Sequence, residues 1–229
     1  MRRSQINRIL RTAEAVFARH GIRLPPFAHR RADHWPHTTP ADQHIIACGL
    51  GWDVTDFGSG QFEQTGLTLV TLRNGRPDDP QAVKPYAEKV MLVLPRQLTP
   101  AHFHHRKIED IIVRAGGRLV VRVWNANPDD TLADTRVTVL TDGVERQLPA
   151  GGELVLEPGE SITLTPRLYH AFWGHPSDEP VVVGEVSSVN DDRTDNRFLE
   201  PLPRFPAVEE DEPAYRHLVS DYGKLPVAN

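Results

Sequence analysis

The 229-residue sequence predicts an all-β protein, an antiparallel sandwich or barrel with helix confined to its ends. Three observations carry that reading. From about Cys48 onward, short segments rich in Val, Ile, Leu and Thr recur, most with the alternation or β-branched content of strands. They are "GLTLVTLRNG", "AEKVMLVLP", "IEDIIVRAGG", "RLVVRVWN", "TRVTVLTDG", "GELVLEPGE", "SITLTP" and "EPVVVGEVSSV". Gly, Pro, Asn or Asp stands in the breaks, and few helical periods intervene.

The flanks read differently. In "MRRSQINRILRTAEAVFARHG", Ile6, Ile9, Leu10, Ala13, Val16 and Phe17 fall along one helical side. Ser4 is the expected N-cap and Gly21 the stop. The Arg-rich start also has the composition of an organelle transit peptide, but the cap, the apolar side and the stop favour a folded helix. From Leu24 to Pro40 the chain is rich in Pro and His, which reads as a surface loop with solvated His29, His34 and His37. After Arg197 it turns Pro-rich and acidic ("FLEPLPRFPAVEEDEP"), a solvated face or a tail packed around the barrel, with a short helix possible in "AYRHLVSDYGK". The expected organisation is residues 1–47 as helix and loop packed on the barrel, 48–200 as the barrel, and 201–229 as a C-terminal extension.

Composition narrows the partners. Lys and Arg number 26 against 31 Asp and Glu, for a net charge of −5, so no basic footprint for nucleic acid or an anionic membrane is present. No apolar run has the length of a membrane-spanning helix, and the N-terminus lacks the hydrophobic centre of a secretory signal. Cys48 is the only cysteine, which excludes an intrachain disulfide framework and a Cys-rich zinc module, and makes a reducing cytoplasm the default. A small, roughly neutral ligand fits these limits best.

Chemistry concentrates in "TPAHFHHRKIEDII", where polar groups interrupt an apolar alternation. On a strand, His102 and His104 share a face, about 7 Å apart, while Phe103 turns to the other side. After a short turn from His105 to Ile108 the chain resumes, and Glu109 returns a carboxylate to the same point, so one strand pair supplies two imidazoles and a carboxylate. Downstream, "TPRLYHAFWG" sets His170 in an apolar, aromatic context where an unpaired imidazole is costly. Three neutral imidazoles and one carboxylate leave a divalent ion a net charge near +1 and, in octahedral geometry, two open positions for chemistry. His105 points away from this group. The alternative for His170 alone is a satisfied core histidine; the joint spacing favours a metal site.

At these residues the sequence resembles a family. His102, His104, Glu109 and Gly116 match the first cupin motif, and "PGESITLTPRLYH" resembles a degenerate second one. Arg96 replaces the glycine of the general pattern, and the segment from Pro166 to His170 is one residue short and lacks its glycine. The longer stretches "RSQINRIL", "KPYAEKVM", "RQLTPAHFHHRKIEDII", "LTPRLYHAFWG" and "GEVSSVNDDRTDNRF" together resemble the D-lyxose isomerase family of cupin sugar isomerases. That resemblance implies a cupin β-barrel (a jelly roll, or double-stranded β-helix) with an N-terminal helical extension and a C-terminal wrap. It implies a manganese-dependent aldose–ketose isomerase acting on D-lyxose and D-xylulose, and on D-mannose and D-fructose, usually as a homodimer. The implied ligands are His102, His104, Glu109 and His170. Where the family tends to read "HFHW" and "NRGGG", this chain has "HFHH" and "VRAGG", so its rim differs near His105 and Val113.

Isomerisation moves a proton between C2 and C1, so a base must reach both carbons. Lys107 is a candidate for proton transfer, if burial and the metal lower its pKa, or for holding a sugar oxygen; a solvated rim lysine is the alternative. Glu185 shares a strand face with Val181 and Val183, which makes it the candidate general base, or else a partner orienting a ligand histidine. The resemblance runs through Asp192 and Arg197, implied to bind sugar hydroxyls, with Phe198 available to cover an apolar edge. Asn190, Asp191 and Asp195 read equally well as turn formers. Lys84, Glu88 and Lys89 are further candidates for the mouth. No Gly-rich loop or basic cluster suggests a phosphate clamp, which favours a free sugar. An iron-dependent cupin oxygenase and a sugar-binding cupin without turnover are the competing readings.

Overall fold

The structure, a computed structural model, describes residues 1–35, 38–76, 78–79, 84–205 and 207–225. Helices α1 (Arg3–Arg19) and α2 (Pro40–Ala47) precede thirteen strands. These are β1 (Gly51–Thr55), β2 (Leu67–Arg73), β3 (Tyr86–Val93), β4 (Thr99–His104), β5 (Glu109–Gly116), β6 (Leu119–Asn125) and β7 (Val137–Thr141). They continue as β8 (Val144–Leu148), β9 (Gly152–Leu156), β10 (Ser161–Leu164), β11 (Leu168–Gly174), β12 (Val181–Ser188) and β13 (Asn196–Phe198). An eight-stranded sheet has the order β1-β2-β3-β12-β5-β10-β7-β8, and a five-stranded sheet the order β13-β4-β11-β6-β9. All of these pairings are antiparallel.

The two inner faces pack on each other as a jelly roll, the fold expected of a cupin. Met91, Ile111, Val183 and Ile162 from the larger sheet meet Val121, Val123 and Phe172 from the smaller one in a single core. Period-two alternation sends their neighbours outward: Val70, Val90, Leu92 and Val182 face away from that core and pack against Ile6, Leu10, Ala13 and Phe17 of α1. The larger sheet therefore has apolar contacts on both faces, which explains why its strands read as nearly continuous apolar runs. Among the described residues no helix is long and apolar enough to cross a membrane.

The flanks differ from the sequence reading in instructive ways. Arg2, not Ser4, is the N-cap of α1; Ser4 lies inside the helix, its backbone N–H and hydroxyl donating to the Asp211 carboxylate at 2.9 and 2.6 Å. The acidic run is exposed, as a solvated face would be, and it also packs on α1. Glu209 pairs with Arg2, Glu210 with Arg3, and Glu212 accepts from Asn7. Arg3, 2 % exposed, also makes a two-pronged pair with buried Asp221 at 2.9 and 3.0 Å. The Pro- and His-rich segment contains two 3-10 turns, Pro26–His29 and Ala32–His34, before α2. His29 and His34 are exposed as expected; His37 lies outside the described residues. The possible C-terminal helix is a 3-10 turn, Val219–Lys224.

Four strands lay outside the sequence reading: β11, β8, β1 and β13. β8 is exposed and polar, and forms because Asp142 and Gly143 turn the chain back onto β7 with positive φ angles of 51° and 80°. β1 completes the sheet edge under α1, and β13 is a three-residue addition to β4.

Both departures from the general cupin pattern fall on left-handed residues. Arg96 has φ 63° and Arg167 φ 61°, the backbone region in which glycine is the easiest occupant. Gly116, which the chain retains, has φ 81°, and a Cβ there would lie 2.3 Å from the Pro180 carbonyl oxygen. Arg96 is exposed, so replacing it with glycine removes strain without removing core contacts. Arg96→Gly is expected to stabilise the fold by about 0.5–1 kcal/mol in urea unfolding; an unchanged or lowered midpoint would argue against strain at this turn.

Candidate metal centre

Strand β4 aims His102 and His104 into the barrel, and β11, paired with β4 so that His170 stands opposite His102, aims the third imidazole at the same place. One ring nitrogen from each of the three lies within 4.8 Å of the others, and all three side chains are buried. Glu109 arrives from across the barrel. β4 and β5 do not form the strand pair inferred from the sequence: the His105–Ile108 turn carries the chain from the smaller sheet to the larger, so Glu109 faces the histidines. Its Oε1 lies 3.1 Å from His104 Nε2 and 3.3 Å from His170 Nε2.

Hydrogen bonds set the histidines' protonation. A carbonyl oxygen can only accept, so Nδ1 of His102 donates to Pro100 O at 2.8 Å and Nδ1 of His170 to Leu168 O at 3.0 Å. In a neutral ring, each Nε2 then presents a lone pair to the barrel. His170 Nε2 is buried without a hydrogen-bond donor, beside a carboxylate that likewise only accepts. Convergent lone pairs facing a carboxylate fit a divalent cation. Burial, reinforced by His170 and His104, holds His102 well below the ordinary imidazole value, and burial with the nearby Lys107 cation lowers His104. Both imidazoles are thereby kept neutral, the state that ligates a metal.

A line of alternating charge leads away from this end. Lys107 Nζ bonds Glu109 Oε2 at 2.6 Å and Glu185 Oε1 at 2.9 Å. Lys89 Nζ lies 3.1 Å from the same Glu185 oxygen and donates to Asn190 Oδ1 at 2.6 Å. Beyond it, Asp192 Oδ1 is 3.9 Å from Lys89, and Arg204 spans Asp192 (3.3 Å) and Asp53 (2.7 Å). Register explains the placement: Thr71, Lys89, Glu185 and Ile111 form one inward cross-strand row, next to the apolar row Leu69, Met91, Val183 and Val113.

Lys107 is 3 % exposed, so it is not a solvated rim residue. Burial favours its neutral form, but Glu109 and Glu185 outweigh burial and raise its pKa, opposite to the lowering that proton abstraction by lysine requires. It stays an ammonium. Burial likewise opposes ionisation of Glu109 and Asp192, yet Lys107 and His104 hold Glu109 well below the usual range, as Lys89 and Arg204 do Asp192. Glu185 touches Lys107 and Lys89 rather than a ligand histidine.

These groups line a cavity of about 40 Å³ whose opposite wall includes Phe57, Leu69, Met91, Phe172 and Phe198. Phe198, at 5.3 Å from the His102 ring, covers the apolar edge as expected. Arg197 does not reach the cavity. Alternation on β13 turns it away from Phe198's side; it is 40 % exposed and lies 3.7 Å from Asp130. Arg204, with no periodic signal in its Pro-flanked segment, is the arginine that lines the cavity. Of the mouth candidates, Lys89 is inside, whereas Glu88 pairs with Arg73 on the outer face and Lys84 sits over the Tyr86 ring. The alternation of Lys89 with Met91 and Val93 was the available signal. Asp191 acts as a turn former, whereas buried Asp195 clamps a distant turn, accepting from the backbone N–H groups of Arg106 and Lys107 at 3.0 Å each. Asn190 instead contacts both lysines. His105 is exposed, edge-on to Phe103.

Residues 1–222 match the family model for D-lyxose isomerase. The chain belongs to the D-lyxose isomerase family. It is 49 % identical over 223 residues to a D-lyxose/D-mannose isomerase of Escherichia coli O157:H7, and 50 % identical over 223 residues to one of Serratia proteamaculans, each alignment covering 97 % of this chain and 98 % of the relative. Its fold is similar to that of an L-ribose isomerase mutant of Acinetobacter sp. DL28, with TM-score 0.61 and 16 % identity over 91 % of this chain and 98 % of that one.

The pKa directions fix a pH dependence for metal-free protein. His102 and His104 have lowered folded pKa values, so below about 6.5 the unfolded chain binds more protons; their contribution is complete above that value and is lost as pH falls toward the folded values. Glu109 and Asp192 add a second loss at more acidic pH, because their folded values are also lowered. The urea midpoint of the metal-free protein should fall between pH 7 and pH 5, and His102→Gln should flatten that part of the profile; identical profiles would contradict the assignment.

Proposed function

We propose that this protein is a divalent-metal-dependent aldose–ketose isomerase interconverting D-lyxose with D-xylulose and D-mannose with D-fructose. The observation that carries the reading is the convergence of three buried imidazoles with the Glu185–Lys107 pair in one cavity, in a chain of this family. His102, His104, His170 and Glu109 are the ligands in this proposal. A divalent ion bound there, Mn2+ in our reading, supplies Lewis-acid stabilisation of negative charge on O1 and O2 of the sugar.

The chain's own groups supply the rest. Glu185 takes the proton from C2 and returns it to C1 while the hydroxyl proton of O2 passes to O1, a single carboxylate sufficing for the carbon-bound proton because the carbons are adjacent. Both ammonium contacts fall on its Oε1, which orients the carboxylate without a histidine. Lys107, kept as an ammonium, donates toward the oxygen on which charge develops and ties the base to the ligand Glu109. Asp192 accepts from, and Arg204 donates to, the sugar's distal hydroxyls, while the apolar wall excludes water. Lys89, Lys107 and Arg204 each already contact carboxylates, which supports an uncharged sugar over a sugar phosphate. We assign the reaction to the cytoplasm on the single, buried Cys48, and a homodimeric state on family resemblance.

Metal-stripped protein incubated anaerobically with D-lyxose should form D-xylulose only after Mn2+ is added, and His102→Ala should abolish both metal retention and product. Glu185→Gln should retain Mn2+ by elemental analysis yet lose about 10²–10⁴-fold in kcat. Ketose formation without any divalent ion, or turnover that requires oxygen, would sink the proposal.

A further inference from the structure

Asp53 has no evident structural reason for its position. It lies on β1 in register with Leu69, within the inward row that continues through Met91, Val183 and Val113, and its flanking residues Trp52 and Val54 pack outward against α1. An aspartate in an apolar row, 4 % exposed, carries a desolvation penalty that holds its pKa above the ordinary carboxylate value, and one hydrogen-bond partner opposes that rise. That partner is Arg204, whose Nη2 donates to Asp53 Oδ2 at 2.7 Å. Arg204 belongs to an irregular segment between Pro203 and Pro206, with no helix or strand to direct its side chain.

The same nitrogen serves Asp192 at 3.3 Å, and Arg204 Nη1 is buried with no hydrogen-bond partner. A guanidinium held by one corner, with a free N–H donor beside a cavity it lines, is arranged to bind something the cavity receives. It also has somewhere else to go. A second cavity of about 400 Å³ lies against Asp53 and Asp192 and contains Phe205, over whose ring the guanidinium is stacked at 4.9 Å.

We infer that Asp53 is a positioning residue for sugar recognition: anchored on β1, it holds Arg204 at the metal-site cavity so that Nη1 donates to a distal hydroxyl of the substrate. Without the carboxylate, Arg204 keeps Asp192 alone and is free to swing toward the second cavity. The inference rests on the proposed isomerase reading for the identity of the sugar, and on this chain's contacts for the role of Asp53. A group that touches neither substrate nor ion should change affinity and leave the proton-transfer step nearly intact.

The test uses the full-length protein with Mn2+, measuring KM and kcat for D-lyxose and, by calorimetry, the Kd of D-arabinitol, a pentitol that cannot isomerise. Asp53→Asn, which keeps size but removes charge, should raise KM and Kd about tenfold while kcat changes less than about threefold. In an Arg204→Gln background the same substitution should add less than about twofold, because the two residues act as one unit. Should Asp53→Asn fail to fold, Asp53→Ser carries the same expectation. Unchanged KM and Kd, or an undiminished effect in the Arg204→Gln background, would overturn the inference. A wild-type protein that makes no ketose but whose D-arabinitol affinity depends on Asp53 through Arg204 would retire the isomerase reading and leave this one standing.

Discussion

Burying charge inside an apolar barrel is the constraint around which this protein is arranged. Four carboxyl groups, Glu109, Glu185, Asp192 and Asp53, alternate with three cations, Lys107, Lys89 and Arg204, from the histidine cluster to the first strand. No member is tolerable alone, since an unpaired ion in such surroundings costs several kcal/mol. With all seven ionised the line carries one negative charge. A divalent ion at its histidine end would more than compensate that charge, which suits the anionic intermediate of the proposed isomerisation.

The pairing also assigns roles that single residues leave open. Lys107 sits between two carboxylates, and their field outweighs burial, so it stays an ammonium and is the donor in the proposed reaction. Glu185, held at one oxygen by Lys89 and Lys107, is the group to which the proposed reaction gives the proton transfer. The same wrap that delivers Arg204 continues into the acidic run that grips α1, so the helix, the C-terminal segment and the far end of the cavity form one mechanical unit.

Much of this was legible from local pattern. The HxH spacing put His102 and His104 on one face, the alternation of Glu185 with Val181 and Val183 put a carboxylate inside, and the apolar side of α1 appeared at helical period. Arg197 and Arg204 show where legibility stops. Both are arginines in polar or Pro-rich segments near the C-terminus, and nothing local distinguishes them; pairing of β13 with β4 turned Arg197 outward, while contacts with Asp53 and Asp192, far away in the chain, drew Arg204 in. Similarly, the acidic run read as either a solvated face or a packed tail, because its partners on α1 lie some two hundred residues earlier.

By itself, then, the sequence determined the β class, the facing of the residues in the strands it revealed, and the HxH spacing that sets His102 beside His104, because these follow from backbone geometry with a period of two or 3.6 residues. Tertiary structure alone decided that Glu109 meets the histidines from the opposite sheet, that Lys107 stays charged, and that Asp53, Lys89 and Arg204 belong to the cavity. The physical reason is that a strand's periodicity names a face but not what stands across from it, and the state of a buried charge depends on that opposing partner.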